Sequence, residues 1–271
     1  THRGTLFPYT TLFRSGPRVA PSLRGIALLD RVDEAAILAR ALPEMQRSLG
    51  IAGRARLLAA ADGKPRLGRY GWKASQPDLA GQTADAFAID LGLPSPLRPE
   101  PFGDCTPAQK ACRAMPNGES AAFDGREISG AMLGMVVAYL GSLAPPGRAA
   151  EAERGAALFA ASGCAACHAP AMPATDGGSV AVFTDLLLHD MGTDLDDGVA
   201  EPGVSSSLWR TAPLIDLVTA KGARRYLHDG RASSIAEAVT WHGGEAAAAR
   251  ERFVRLSVED RSRLTAYLEG R

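Results

Sequence analysis

Apolar residues recur at three- and four-residue intervals in several stretches of the chain, a spacing that puts them on one face of an α-helix. Polar residues that cap helices precede these stretches. Asp33 predicts a helix through residue 41, and Asp78 predicts one over residues 79–91 that Gly92 ends. The β signals are limited to one turn at residues 62–63. This pattern predicts a mainly α fold.

One further helix, predicted over residues 129–143, is apolar on nearly every side. Such a helix is typical of a protein interior, so we expect it to be buried and its methionines to fill the core. The stretch Ala144-Pro145-Pro146-Gly147-Arg148 follows it and contains two helix-breaking prolines. We interpret it as a linker and predict a domain boundary near residue 147, which separates residues 16–147 from residues 148–271.

Two helices of the C-terminal part are predicted to pack together. Residues 154–163 carry Gly155 and Phe159 on one face, where a glycine permits close approach by another helix. The expected partner is the last helix, residues 257–269, which opens with a sequence resembling a capping box at Ser257. The first of these helices leads directly into the most distinctive motif of the chain.

That motif is Cys164-Ala165-Ala166-Cys167-His168, which has the C-x-x-C-H spacing typical of covalent haem attachment. Cys164 and Cys167 can form thioethers with the haem vinyl groups, and His168 is then the proximal ligand of the iron. The C-x-x-C spacing alone would also suit a redox dithiol or half of a zinc site. The other two of the four cysteines lie more than 50 residues upstream, which weakens the zinc interpretation. We therefore predict one haem c in this chain.

Composition narrows the classes of partner. The chain has 271 residues, of which 46% are hydrophobic, enough for one large or two ordinary domains. Thirty basic and thirty acidic residues give a formal net charge of zero, which favours neither nucleic acid nor an anionic membrane. No run of 18 apolar residues suggests a membrane span. The expected partner is a small redox protein that donates or accepts electrons.

The amino terminus is unusual. Residues 5–15 match, residue for residue, the translation of a widely used sequencing adaptor. We therefore set residues 1–15 aside as an artefact that is expected to be disordered, and an odd natural extension is the alternative. We expect the natural protein to begin further upstream with a signal peptide, because haem is attached to such motifs outside the bacterial cytoplasm. The predicted location is the periplasm.

Cys105 and Cys112 are consistent with export. They flank a short loop that a disulfide can close in an oxidising compartment, and we predict that bond. Two free buried thiols are the alternative. Thiol chemistry at this pair would need an activated cysteine, and Lys110 is the only cation between them in the sequence.

Several residues after the motif are candidates for the second axial ligand of a haem iron: Met172, His189, Met191, His228 and His242. A capping-box sequence at residues 234–237 predicts a helix that Gly243 and Gly244 end. His242 falls on the apolar face of that helix. A lone histidine on an apolar face is usually a hydrogen-bonded core residue, but a haem in the same domain makes ligation the stronger interpretation.

Two stretches beyond the motif resemble a known family. The stretch beginning Tyr226-Leu227-His228-Asp229-Gly230, with residues 209–214 before it, is similar to the carboxy-terminal domain of bacterial di-haem cytochrome c peroxidases. The similarity is closer to the related di-haem oxidoreductase family, also labelled thiol oxidoreductases. Further similar blocks are residues 71–74, 105–109, 185–192 and 241–245. The resemblance covers roughly residues 17–271.

This resemblance implies a fold and a ligand set. The fold is a C-terminal cytochrome c-like domain, preceded by the remainder of a second, truncated cytochrome c-like domain that lacks its own C-x-x-C-H. The peroxidases place the methionine ligand of their electron-transfer haem fourteen residues after the histidine that matches His228, and this chain has His242 there. The implied axial ligands are therefore His168 and His242, with Met191 as the second choice for the distal position.

The resemblance also implies contacts with the haem. Arg210, Pro213 and His228 are expected to lie against it, and Arg210 would pair with a propionate. A solvated surface position is the alternative for Arg210. His189 and His228 are expected to hydrogen-bond to backbone or to the propionates, or to have a purely structural role.

Two residues of the N-terminal part have implied redox roles. Trp72 falls in a segment resembling the one that bears an aromatic residue between the two haems of the peroxidases, which makes it a candidate electron relay. A buried core tryptophan is the alternative. Asp90 lies where the peroxidases place a catalytic carboxylate, and a capping or surface aspartate is the alternative.

Three functions follow from these residues. The resemblance implies the electron-transfer part of a di-haem oxidoreductase, in which the other haem reacts with hydrogen peroxide or another oxidant. The alternative is a simple electron-carrier cytochrome without turnover. A thiol/disulfide oxidoreductase that uses Cys105 and Cys112 is less favoured. The present chain alone is expected only to transfer electrons.

Overall fold

The computed structural model describes residues 16–60, 62–103, 105–146, 153–217 and 225–270. α-Helices predominate over short strands there, as the apolar pattern predicted. The α-helices are Glu34–Arg40 (α1), Pro43–Leu49 (α2), Leu79–Leu91 (α3), Lys110–Arg113 (α4), Gly130–Ser142 (α5), Glu153–Ala161 (α6), Ile235–Thr240 (α7), Ala247–Arg255 (α8) and Val258–Glu269 (α9). Short 3-10 helices cover Ile26–Arg31, Ala121–Phe123, Cys164–Ala166, Thr193–Leu195 and Gly244–Ala246. No helix in the described ranges has both the length and the apolar composition of a membrane span.

The strands are short and form antiparallel pairs. They are Leu57–Leu58 (β1) with Arg66–Leu67 (β2), Met172–Pro173 (β3) with Ser179–Val180 (β4), and Leu188–Asp190 (β5) with Leu208–Arg210 (β6). The β1–β2 hairpin confirms the turn predicted at residues 62–63, where Gly63 has a φ of 73°. The β5–β6 pair was not predicted, and its register places His189 opposite Trp209.

The helix starts predicted from polar residues are confirmed. Each capping side chain accepts a hydrogen bond from a backbone N–H two or three residues ahead: Asp33, Asp78, Ser129, Ser234 and Ser257. Such caps stabilise a helix by about 1 kcal/mol each. Gly92 ends α3 with a φ of 70°, as predicted.

Helices α6 and α9 pack against each other at Gly155, which confirms the predicted close approach. A Cβ atom on Gly155 would lie 2.9 Å from the carbonyl oxygen of Arg263 and would overlap the side chain of Tyr267. The rings of Phe159, Phe183 and Tyr267 meet beside the crossing, with centroids 5.8 to 6.2 Å apart. Each such pair adds about 0.5–1.5 kcal/mol beyond simple burial. The crossing therefore fixes the helix that leads into the C-x-x-C-H motif.

Helix α5 is not buried on all sides, so that prediction was wrong. Leu133 is buried, but the side chains of Met135 and Tyr139 are 66% and 63% exposed. The helix packs against α3 and against the 3-10 helix Ile26–Arg31. These neighbours cover one side of the helix, whereas its apolar residues extend around the whole circumference.

The main hydrophobic cluster draws on both halves of the chain. Leu29, Ile37 and Leu67 pack in it with Val182 and Leu187. Isolated β-bridges also pair residue 32 with residue 174 and residue 54 with residue 188. The predicted boundary near residue 147 and the artefact at residues 1–15 fall outside the described residues, so both stay predictions.

Candidate functional site

A cavity of about 690 Å³ lies beside the C-x-x-C-H motif. This volume is within the range of cofactor-sized sites, roughly 300–1,000 Å³. Its wall contains most of the predicted site residues: Trp72, Cys164, Cys167, His168, Met191, Arg210, Pro213, His228 and His242. Many of the other lining side chains are apolar, among them Leu195, Leu214, Ile235, Val239 and Leu264. The wall also contains His189, Arg225, Glu245, Arg250 and Arg252. The fold therefore gathers these residues from distant parts of the chain around one space.

The C-x-x-C-H motif enters the cavity wall through a tight turn. Gly163 has a φ of 84°, and the chain continues from it into the 3-10 helix Cys164–Ala166. The backbone N–H of His168 donates to the carbonyl oxygen of Cys164 at 2.9 Å. Both cysteines of the motif are free thiols. Burial raises the pKa of Cys164 to about 11, so this group is a neutral thiol at pH 7.

His168 and His242 face each other, with ring centroids 6.4 Å apart and ring planes inclined by 48°. Nδ1 of His168 lies 3.2 Å from the carbonyl oxygen of Phe183. Nδ1 of His242 lies 2.8 Å from the carbonyl oxygen of Ala238, one turn earlier in α7. A carbonyl oxygen only accepts hydrogen bonds, so each Nδ1 carries the proton and each Nε2 is the basic nitrogen.

Both of these histidines are neutral at pH 7. Burial lowers the pKa of His168 to about 4, and the neighbouring His242 adds to this effect. Burial also lowers the pKa of His242. A metal ion binds a neutral imidazole, so their protonation state is the one that ligation requires.

The spacing of the two rings fits a shared metal ion. Two imidazoles bonded to one ion at about 2.0 Å each have ring centroids about 6 Å apart. The observed separation of 6.4 Å agrees with this arrangement. The adjacent thiols could attach a porphyrin covalently, and the apolar side chains of the wall could pack against its ring. The residues present therefore fit a haem c.

One wall of the cavity is a stack of rings. His228 stacks on Trp209 with centroids 3.7 Å apart, and Trp72 meets His228 edge-on at 6.4 Å. The fully buried Lys73 places its ammonium 3.6 Å from the Trp209 ring centre. That ammonium also donates to three backbone carbonyls of residues 205–208, at 2.7 to 3.3 Å. Lys73 thus holds the ring stack in place, a role that no local pattern in the sequence indicated.

His228 has a polar atom to offer a bound group. Its side chain is buried, and Nε2 has no hydrogen-bond partner within the described part of the chain. An unpaired buried polar atom costs about 1–3 kcal/mol, so a ligand that pairs with it is favoured. This position agrees with the predicted contact of His228 with a cofactor.

Arg210 is buried, so the alternative of a solvated surface arginine was wrong. It is 3% exposed, and its Nε donates to the carbonyl oxygen of Gly71 at 2.8 Å. Nη1 donates to the carbonyl oxygen of Thr211 at 3.0 Å. Burial lowers the pKa of Arg210 to about 10, which leaves the group cationic at pH 7. A guanidinium held in this way can pair with a carboxylate of a ligand in the cavity.

His189 hydrogen-bonds to two carboxylate side chains, partners that we did not predict. Its Nε2 lies 3.0 Å from Oδ2 of Asp185, and its Nδ1 lies 2.9 Å from Oε2 of Glu245. Burial alone lowers the pKa of His189, but hydrogen bonds with Asp185, Cys167 and Glu245 outweigh it and raise the pKa to about 12. The ring is therefore an imidazolium that donates to a carboxylate on each side.

This network was missed in the sequence. Glu245 lies in the family-like block 241–245 and Asp185 in the block 185–192, but nothing local indicates that they share a histidine. Cys167, Asp185 and His189 also lie close enough together to suggest a metal site. Because each ring nitrogen of His189 already pairs with a carboxylate oxygen, we interpret the cluster as a charge network.

Four other predicted residues divide between the cavity wall, which contains one of them, and positions away from it. Met191 lies in the cavity wall just after β5. Asp90 is exposed in the last turn of α3 and is not among the described residues of the wall, a position that matches the surface alternative. Cys105 and Cys112 form a disulfide with Cα atoms 6.1 Å apart, and neither is in the wall. The catalytic role of Asp90 stays a prediction.

One comparison with known proteins bears on the class of this protein. A helical chain whose cavity brings a C-x-x-C-H motif to a second histidine has the features of a haem-binding redox protein. The model of a family described as "di-haem oxidoreductase, putative peroxidase" matches residues 8–270, and the chain belongs to this family. Membership implies haem binding and a redox role. No curated protein and no solved structure matches the chain. The match begins at residue 8, within the segment that we set aside as an artefact.

Proposed function

We propose that this chain binds one haem c and transfers electrons within a peroxidase-like di-haem oxidoreductase. Cys164 and Cys167 would hold the haem through thioether bonds, and His168 and His242 would ligate its iron. The observation that carries the proposal is the opposition of two neutral histidines, with centroids 6.4 Å apart, beside two free thiols.

The bound haem supplies one-electron oxidation and reduction, and the protein controls it through ligands, burial and hydrogen bonds. Two histidine ligands give a lower reduction potential than a histidine and a methionine. Arg210 neutralises a propionate, and the unpaired Nε2 of His228 hydrogen-bonds to another polar edge of the cofactor. Pro213 and the apolar wall exclude water from the site.

Trp72 is the electron relay in this proposal. Its half-buried ring lines the cavity, and its indole N–H donates to the carbonyl oxygen of Val19 at 2.9 Å. Trp209 is less suited, because the ammonium of Lys73 lies over its ring and opposes the removal of an electron. Electrons therefore leave or enter the site through Trp72.

The proposed peroxidase-like reaction rests on membership of the di-haem family and on the C-x-x-C-H motif at residues 164–168. In a di-haem oxidoreductase of this kind, a second haem would supply the reaction with hydrogen peroxide or a related oxidant, and residues 16–147 would belong to the domain that holds it. Two cytochrome c-like domains make up that protein. A small redox protein supplies the electrons. The location is the periplasm. This oxidising compartment is compatible both with haem c attachment and with the disulfide between Cys105 and Cys112.

The attachment and the ligands are tested by exporting the full chain in a bacterium that attaches c-type haem. We expect haem that stays bound after denaturation and a low-spin spectrum in both oxidation states. His242→Ala should convert the spectrum to high-spin, whereas Met191→Leu should leave it low-spin. Absence of covalent haem would refute the attachment, and a low-spin His242→Ala variant would refute the ligand assignment.

A turnover assay on the protein with both haems separates an enzyme from a carrier. An enzyme of this family should consume peroxide while it oxidises a reduced donor protein. Reversible reduction of both haems without any peroxide consumption would favour a simple electron carrier.

A further inference from the structure

Glu245 connects three segments that are far apart in the sequence. Its Oε1 accepts a hydrogen bond from the backbone N–H of Asp190 at 2.9 Å. Its Oε2 accepts from the backbone N–H of Ala52 at 2.7 Å and lies 2.9 Å from Nδ1 of His189. The carboxylate therefore has three donors, and it lies only three residues after His242.

The backbone between His242 and Glu245 has little freedom to move. A Cβ atom on Gly243 would lie 2.9 Å from the carbonyl oxygen of Met191. Gly244 has a φ of 51°, and a Cβ atom on it would lie 2.7 Å from the backbone nitrogen of Gly192. The two glycines thus pack directly on residues 190–192. The position of His242, which precedes Gly243, therefore depends on how firmly residues 242–245 are held against residues 190–192.

The other end of the network is anchored in the interior. Asp185 is fully buried, and its Oδ2 lies 3.0 Å from Nε2 of His189. Its Oδ1 accepts a hydrogen bond from the backbone N–H of Leu187 at 3.0 Å. Hydrogen bonds that involve charged groups are about twice as strong as neutral ones, so the series Asp185, His189 and Glu245 is a rigid support.

We propose that Glu245 is a positioning residue that holds His242 at the distal side of the haem iron. This inference rests on the proposed function, because it requires His242 to be a ligand. Glu245 acts through the backbone of residues 242–245, and it also lies in the cavity wall. Without it, the segment that carries His242 separates from residues 190–192, and the histidine spends a larger fraction of time off the iron.

Binding of carbon monoxide to the reduced protein measures that fraction, because carbon monoxide enters only when the distal position is open. Glu245→Gln keeps the size of the side chain but removes its charge and replaces an acceptor by a donor. We expect carbon monoxide to bind roughly ten- to hundred-fold faster than in the wild type, as the loss of charge-assisted hydrogen bonds predicts. A high-spin component should appear in the oxidised spectrum, and added imidazole should remove it.

A second pair of variants tests whether Glu245 acts through His242. In a His242→Ala background the distal position is already open, so Glu245→Gln should change the rate of carbon monoxide binding no further. The matched control is Glu251→Gln on α8, whose carboxylate is 59% exposed and pairs with Arg255 at 3.5 Å. This control should leave both the spectrum and the rate unchanged.

Three outcomes would overturn the inference. One is a Glu245→Gln protein with the wild-type spectrum and rate, and another is an equal acceleration in the His242→Ala background. If Glu245→Gln fails to load haem, Glu245→Asp carries the test, because it keeps the charge but withdraws the oxygens from their donors. A wild-type rate in that variant is the third outcome. A wild-type chain that is itself high-spin would instead refute the proposed ligands, which keeps the two failures distinguishable.

Discussion

Adding one methyl group at Gly155 should destabilise the protein, although the same change stabilises an ordinary helix. Replacing glycine by alanine inside a helix usually gains about 1 kcal/mol. At Gly155 the new Cβ atom would lie 2.9 Å from a backbone oxygen of α9 and would overlap Tyr267. Overpacking against backbone costs about 2–3 kcal/mol, the upper part of its usual range, because α6 and α9 must separate. We expect Gly155→Ala to lower the free energy of unfolding by about 1–2 kcal/mol.

Gly134 is the matched control. It lies inside α5 with no atom within 4 Å of an added Cβ. Gly134→Ala should therefore raise the free energy of unfolding by about 1 kcal/mol, the full difference in helix propensity between alanine and glycine. The two variants should therefore differ by about 2–3 kcal/mol, which corresponds to roughly 4–12 °C in Tm for a chain of this size. Urea unfolding of the haem-loaded proteins, followed by circular dichroism, measures the difference. Gly155→Ala protein as stable as Gly134→Ala protein would refute the argument for tight helix packing.

The remaining predictions concern charges. Hydrogen bonds from His189 and from two backbone N–H groups outweigh burial and lower the pKa of Glu245 below its usual 4.5. The stability that this carboxylate contributes is therefore present above pH 4.5 and is lost as the pH falls through the folded pKa. The stability difference between wild type and Glu245→Gln, about 1.5–3 kcal/mol at pH 7, should shrink in urea titrations below pH 4.5; a constant difference would contradict this. Lys73→Met should cost about 3 kcal/mol, because three carbonyls lose their donor, and an unchanged urea midpoint would show that water replaces the ammonium.

The local elements of this fold could be predicted because their causes are local. Asp78 caps α3 and Gly92 ends it through contacts with residues one turn away, so both residues can be recognised in the sequence. Gly163 is recognisable for the same reason, since a positive φ favours glycine. The C-x-x-C-H motif likewise carries its chemistry in five consecutive residues.

The burial of side chains and the partners of His189 depend on contacts between distant segments, which the sequence does not show. Helix α5 has the composition of a buried helix, but Met135 and Tyr139 are exposed because the described neighbours cover only one side of it. Arg210 gave no local indication of its burial. The two carboxylate partners of His189 could not be predicted, because they lie on separate segments that only the folded chain brings together.

The sequence by itself determined the helix ends, the haem-attachment motif and, through family resemblance, the choice of His242. Tertiary structure alone decided that His168 and His242 face each other at 6.4 Å, and that Glu245 joins the segment of His242 to Ala52 and His189. The physical reason is the range of the interactions. A cap or a turn is set by residues within one helical turn, whereas two opposed histidines and a shared carboxylate require the packing of segments separated by tens of residues.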